Sequence, residues 1–197
     1  LHAFHLGAPL ISKILCVKCV ITMNELENLI NKYRDLVIRV FKLGIDCCGD
    51  DCIIRVLDVN HLGNIGCGVY GLMLDSGQVN ELLRRPSIIK LLLNKGIIRL
   101  FVYPCINSER INFLERLGFI VINYLTGDDC VLTREVVVHP DAYRIINLVR
   151  RGFAVYAHLY NPYIRRDYSY DAVSLFDVTF EYLVRNNVRV YLILDNI

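Results

Sequence analysis

The 197-residue chain has no run of apolar residues long enough to cross a bilayer. A spanning helix needs about 20 such residues, and charge interrupts every apolar stretch here within about ten. A membrane span is therefore not expected. The first residues, Leu1-His2-Ala3-Phe4-His5-Leu6, lack a basic start, and Lys13 and Lys18 break the apolar stretch behind them, so they do not read as a secretory leader. A cytoplasmic location is the expectation. Charge of one sign is also lacking: the net charge is +2, too little to imply nucleic acid by itself. No segment rich in Pro, Gly or Ser marks a linker. Tryptophan is absent, and no function follows from that.

Familiar chemistry is missing as well. No glycine-rich phosphate loop opens a helix, and neither Gly-x-Ser-x-Gly nor His-Glu-x-x-His occurs. The histidines stand at 2, 5, 61, 139 and 158, without a pair at ligand spacing inside the domain. The residues read in sequence give no complete catalytic set and name no cofactor.

Hydrophobic residues make up 54% of the chain, enough to build a substantial core. Eight cysteines are present. Cys16 and Cys19 have the two-residue gap of a zinc knuckle, but β-branched flanks replace the polar turn that a knuckle needs. Cys47, Cys48 and Cys52 offer a second, turn-like set. Buried free thiols are the leading reading, because cysteine is among the most buried residue types. Intracellular disulfides are the alternative, in keeping with a thermophile rich in Ile, Val, Tyr and Arg.

A weak internal repeat organises the chain. One copy runs from Gly68 through a helix-like 87–96 to the strand 97–103. The second runs from Phe153 through a helix near 172–186 to the strand 188–194, with Tyr70 and Tyr156 in phase. Further helices are expected over 24–43, 78–95 with a break at Pro86, 108–117, and from Pro140 to Arg151. Further strands are expected at 52–59, 67–74, 119–124, 131–138 and 153–160. Continuous apolar strands separated by helices predict an α/β fold. It is read as a mixed or parallel sheet with helices on both faces, built from two related strand-helix-strand units. The expected divisions are an extension at 1–22 ahead of Met23, a first unit at 23–138, and an incomplete second unit at 139–197.

The block 156–171 is the candidate binding surface. Aromatic residues interleave with adjacent arginines in His158, Tyr160, Tyr163, Arg165, Arg166 and Tyr168, a pattern suited to phosphate or single-stranded nucleic acid. Arg84-Arg85 occupies the corresponding region of the first copy. His158 alone reads more readily as a satisfied strand histidine than as a catalyst. Asp128-Asp129 reads as a solvated turn rather than a metal site. Asp195 ends an apolar strand, where ligand-facing carboxylates sit in open α/β sheets.

The segment Val155-Tyr156-Ala157-His158-Leu159-Tyr160-Asn161-Pro162-Tyr163, with the strand Val188 to Asp195, resembles the first half of a phospholipase D-like repeat. The first copy fits the same outline through Lys95 to Pro104. The resemblance implies two repeats, each with a His-x-Lys-x4-Asp motif whose histidine attacks phosphorus. Thr126 to Thr133, where the first motif belongs, holds neither His nor Lys, so no catalytic residue transfers. What the resemblance implies is a non-catalytic or truncated domain that binds a phosphodiester or nucleic acid. Ala142 to Val155 also resembles the helix-to-strand opening of the C-terminal domain of archaeal tRNA-intron endonucleases. That likeness implies a structural subunit with a catalytic partner. A scaffold domain, alone or as a homo-oligomer, is the third reading.

Overall fold

The computed structural model describes residues 23–159 and 179–195. Its elements follow in chain order: α1 (Met23–Lys32), β1 (Val37–Gly44), β2 (Gly49–Arg55), a 3-10 turn (Val59–Asn64), β3 (Val69–Leu74), α2 (Ser76–Leu83) and α3 (Pro86–Asn94). After these come β4 (Arg99–Val102), α4 (Ser108–Leu117), β5 (Ile120–Tyr124), β6 (Glu135–Val138), α5 (Ala142–Arg150), β7 (Ala154–Leu159) and β8 (Val190–Asp195). Residues 179–185 are helical. Each strand pairs in parallel with the next, and β8 pairs in parallel with β1, so the sheet closes into an eight-stranded barrel.

Side-chain alternation explains the closure. Phe101 on β4 points inside, while Leu100 and Val102 pack outward. Tyr156 on β7 points inside, while Val155 and Ala157 pack outward. Phe41, Leu43, Ile53, Met73, Ile122, Val137 and Ile193 complete the interior. Two outer clusters bury the reverse face, one against α2, α3 and α4, the other against α1, α5 and the helix at 179–185. A strand apolar on both faces fits this arrangement, because one face meets side chains and the other meets helices.

Local signals set the helix ends. Asp75 and Gln78 form a reciprocal capping box at α2, and Pro86 opens α3 after the expected break. Asn107 caps α4 by accepting from the Arg110 N–H, one residue before the expected Ser108. Gly118 stops it at φ 110, a left-handed conformation that glycine adopts without strain.

Several expectations change. The α/β class and the parallel pairing stand, but helices cover only the outer face, and one closed barrel replaces a sheet of two units. Residues 37–43 were the missing strand. The helix expected over 24–43 ends at Lys32, and Val37–Gly44 becomes β1, which joins β8 to β2. The repeated segments are β3–β4 and β7–β8, which stand on opposite sides of the barrel. Their tyrosines meet inside it, with Tyr70 and Tyr156 hydroxyls 2.6 Å apart. Cysteines expected as free thiols are paired instead: Cys47–Cys52, Cys48–Cys67 and Cys105–Cys130 form disulfides. Cys16 and Cys19, like the rest of the 1–22 extension, lie outside the described residues. No helix among the described residues is long and apolar enough to cross a membrane.

Candidate functional site at the C-terminal mouth of the barrel

The two ends of the barrel differ in chemistry. At the N-terminal end a bonded network closes the interior. The Tyr156 hydroxyl donates to Glu135 Oε1 at 2.7 Å and accepts from Tyr70. Arg99 lies over the Tyr70 ring and 3.6 Å from Glu135, an ion pair rather than a hydrogen bond. Burial, reinforced by the bonds to Tyr70 and Glu135, pushes the Tyr156 phenol far above its ordinary range. Burial also raises Tyr70, and the bond to Tyr156 offsets this only in part.

The C-terminal end collects polar groups from seven strands. Arg55 ends β2, Tyr124 ends β5, and Asp195 ends β8. His158 lies near the end of β7. Asp75, Tyr103 and His139 directly follow β3, β4 and β6. Each stands two residues after an interior side chain, so the same alternation that fills the barrel aims these residues at its mouth. Parallel α/β barrels carry their chemistry at this end, because the strand termini and the following loops converge there.

Three of these groups form a chain. Tyr124 is 1% exposed and His158 2% exposed, yet both line a cavity of about 300 Å³ at the mouth. Asp195 Oδ1 lies 2.6 Å from His158 Nε2, and the Tyr124 hydroxyl lies 2.8 Å from Nδ1. A carboxylate only accepts, so Nε2 donates to Asp195, and in the neutral imidazole Nδ1 then accepts from Tyr124. Asp195 Oδ2 is buried with no hydrogen-bond partner among the described residues. Arg55 reaches Asp195 at 3.6 Å and also lines the cavity, with a third of its side chain exposed. Tyr103 stands edge-on to Tyr124 at 4.9 Å, and the His139 ring lies 5.3 Å from Tyr124. The Cys105–Cys130 disulfide ties together the loops after β4 and β5, which flank Tyr103 and Tyr124.

This arrangement supports proton transfer and anion recognition. An aspartate that orients a histidine, which in turn bonds an ionisable hydroxyl, is the generalised triad logic. The Arg55 guanidinium has five donors in a planar fork, suited to phosphate or carboxylate.

Of the residues singled out in the sequence, His158 and Asp195 come together at the mouth. Tyr160, Tyr163, Arg165, Arg166 and Tyr168 lie outside the described residues. Arg84 and Arg85 are exposed at the α2–α3 junction. Asp128 and Asp129 are exposed in the β5–β6 loop, and no group of three or more metal-ligating side chains occurs among the described residues. Sequence reasoning missed Arg55, Asp75, Tyr103, Tyr124 and His139. The signal was a polar residue at the inward phase of each strand's end.

No protein-family model matches the chain, and no curated protein matches it. Among solved structures, a dimeric Lac repressor with a C-terminal deletion is similar at 16% identity and a TM-score of 0.24. The match covers 82% of this chain, and the chain spans 58% of the repressor chain. At that score nothing is carried over from one protein to the other.

Proposed function

We propose that the C-terminal mouth binds a phosphate-bearing ligand through Arg55 and moves a proton at it through Tyr124, His158 and Asp195. The observation that carries this reading is the convergence of that hydrogen-bonded chain and the partly exposed Arg55 on one cavity. In the forward direction His158 Nδ1 takes the Tyr124 proton, and Asp195 stabilises the imidazolium that forms. The Tyr124 oxygen, now a phenolate, serves as general base toward a ligand hydroxyl or water. Arg55 holds the anion beside it. The phospholipase D-like resemblance contributes only the phosphodiester ligand class to this reading, since its His-x-Lys pair has no counterpart in the first copy.

A second reading, a phosphate-binding domain without turnover, is favoured by the burial of His158 and by the bonding of both its ring nitrogens. Two measurements separate the readings. Calorimetric titration with uridine 5′-monophosphate is expected to show binding that Arg55→Met weakens roughly tenfold or more, the loss of a charge-assisted bond. Turnover of bis(4-nitrophenyl) phosphate, lost in His158→Gln with nucleotide affinity retained, supports proton transfer. Binding without turnover supports the second reading. Absence of Arg55-dependent binding overturns both.

A further inference from the structure

The mouth continues into a groove outside the barrel. Leu57 and Gln78 line both the mouth cavity and a second cavity of about 670 Å³ that ends at Arg84 and Arg85. The two arginines are exposed and form no ion pair or side-chain hydrogen bond among the described residues. Their backbone is fixed. The Arg84 and Arg85 N–H groups donate to the carbonyls of Glu81 and Leu82, and Arg85 O accepts from Ile88 and Ile89. The Gln78 side chain ties α2, which leads into the two arginines, to the residue after β2 by donating to Val56 O at 2.7 Å.

Two acids share the groove, Asp58 and Glu81. Asp58 is engaged with its own turn, where Oδ1 accepts from the Asn60 N–H and Oδ2 lies 4.0 Å from His61. Two arginines on a fixed backbone thus share the groove with two carboxylates, one of which, Asp58, is already bonded within its own turn. Leu57, at 69% exposure, lies where the two cavities join, and Tyr103, at 37%, lines the mouth itself. Cations at the far end, an apolar surface at the junction, and an arginine and an aromatic ring at the mouth match a chain of phosphates that carries bases.

We infer that the ligand of the mouth is one residue of a single-stranded nucleic acid, whose neighbouring backbone lies along this groove with a phosphate at Arg84–Arg85. The inference rests on the phosphate reading of the mouth and adds the polymer and its path.

The test measures fluorescence anisotropy of a labelled oligouridylate of about eight nucleotides against salt, beside calorimetry with uridine 5′-monophosphate. The oligomer is expected to bind more tightly than the monomer. Arg84→Gln with Arg85→Gln should weaken the oligomer roughly tenfold or more and leave the monomer affinity within about twofold. The slope of log affinity against log salt should become shallower by about 0.7, the contribution of the one single-strand phosphate held there. Tyr103→Ala should weaken the oligomer and leave binding of inorganic polyphosphate unchanged. An unchanged oligomer affinity and salt slope in the double arginine variant, with monomer binding intact, overturns the groove and spares the mouth. Polyphosphate binding as tightly as the oligomer overturns the nucleic-acid assignment. Loss of monomer binding in the wild-type protein overturns the mouth reading itself.

Discussion

Replacing Tyr156 by Phe removes one oxygen from the middle of the barrel's N-terminal network. That oxygen donates to Glu135 at 2.7 Å and meets Tyr70 at 2.6 Å. A hydrogen bond to a charged group contributes about 1.5–3 kcal/mol, and a neutral one about 0.5–1.5. Glu135 is only 17% exposed, so water does not fully replace the lost donor, and Arg99 at 3.6 Å remains as its ion-pair partner. Tyr156→Phe is expected to destabilise the protein by about 2–4 kcal/mol. Tyr70→Phe loses only the neutral bond and keeps the Tyr156–Glu135 pair, so about 1 kcal/mol is expected. For a chain of this length each kcal/mol moves Tm by about 2–4 °C, so the two variants should separate clearly by calorimetry. If Tyr70→Phe proves as costly as Tyr156→Phe, the bond to Glu135 does not hold the barrel end and the reasoning fails.

Three further outcomes follow from the same geometry. Tyr70 and Tyr156 have phenols raised above the ordinary value of about 10, so their contribution to stability is complete below that pH and is lost as pH rises toward their native values; an absorbance titration should show both ionising above that pH, and a single curve near pH 10 in the folded protein would contradict this. A methyl added at Gly71 would lie 2.8 Å from Arg99 O and 2.9 Å from the Phe101 ring, so Gly71→Ala should lower stability by about 1–3 kcal/mol in denaturant melts, and a change below about 0.5 would mean that the strands simply part. Removing the Cys105–Cys130 disulfide with paired serines should cost about 3 kcal/mol under oxidising conditions and nothing in reductant, and identical melting in both would show that the loop constraint is not stabilising.

Most elements of the fold were legible, because hydrophobic period and helix punctuation agree in segments such as 108–117 and 119–124. β1 was not. Leu36, Val37, Val40 and Phe41 satisfy a helical period and a strand apolar on both faces alike, and only the pairing of Val37–Gly44 with β8 decides between them. That one strand separates an open sheet from a closed barrel. It also explains why the site stayed hidden. Arg55 follows Ile53, Tyr124 follows Ile122, and Asp195 follows Ile193, each at the inward phase. In an open sheet such residues are scattered over one edge. Closure brings them together, as it does for Arg55 and Asp195, which stand on the two strands that flank β1 and approach to 3.6 Å.

The most direct test follows the His158 imidazole resonances by NMR while uridine 5′-monophosphate is added. Saturable shifts at His158, lost in Arg55→Met, are the predicted result. An unmoved His158, with shifts confined to other surfaces or absent altogether, would contradict a phosphate-binding, proton-transferring mouth.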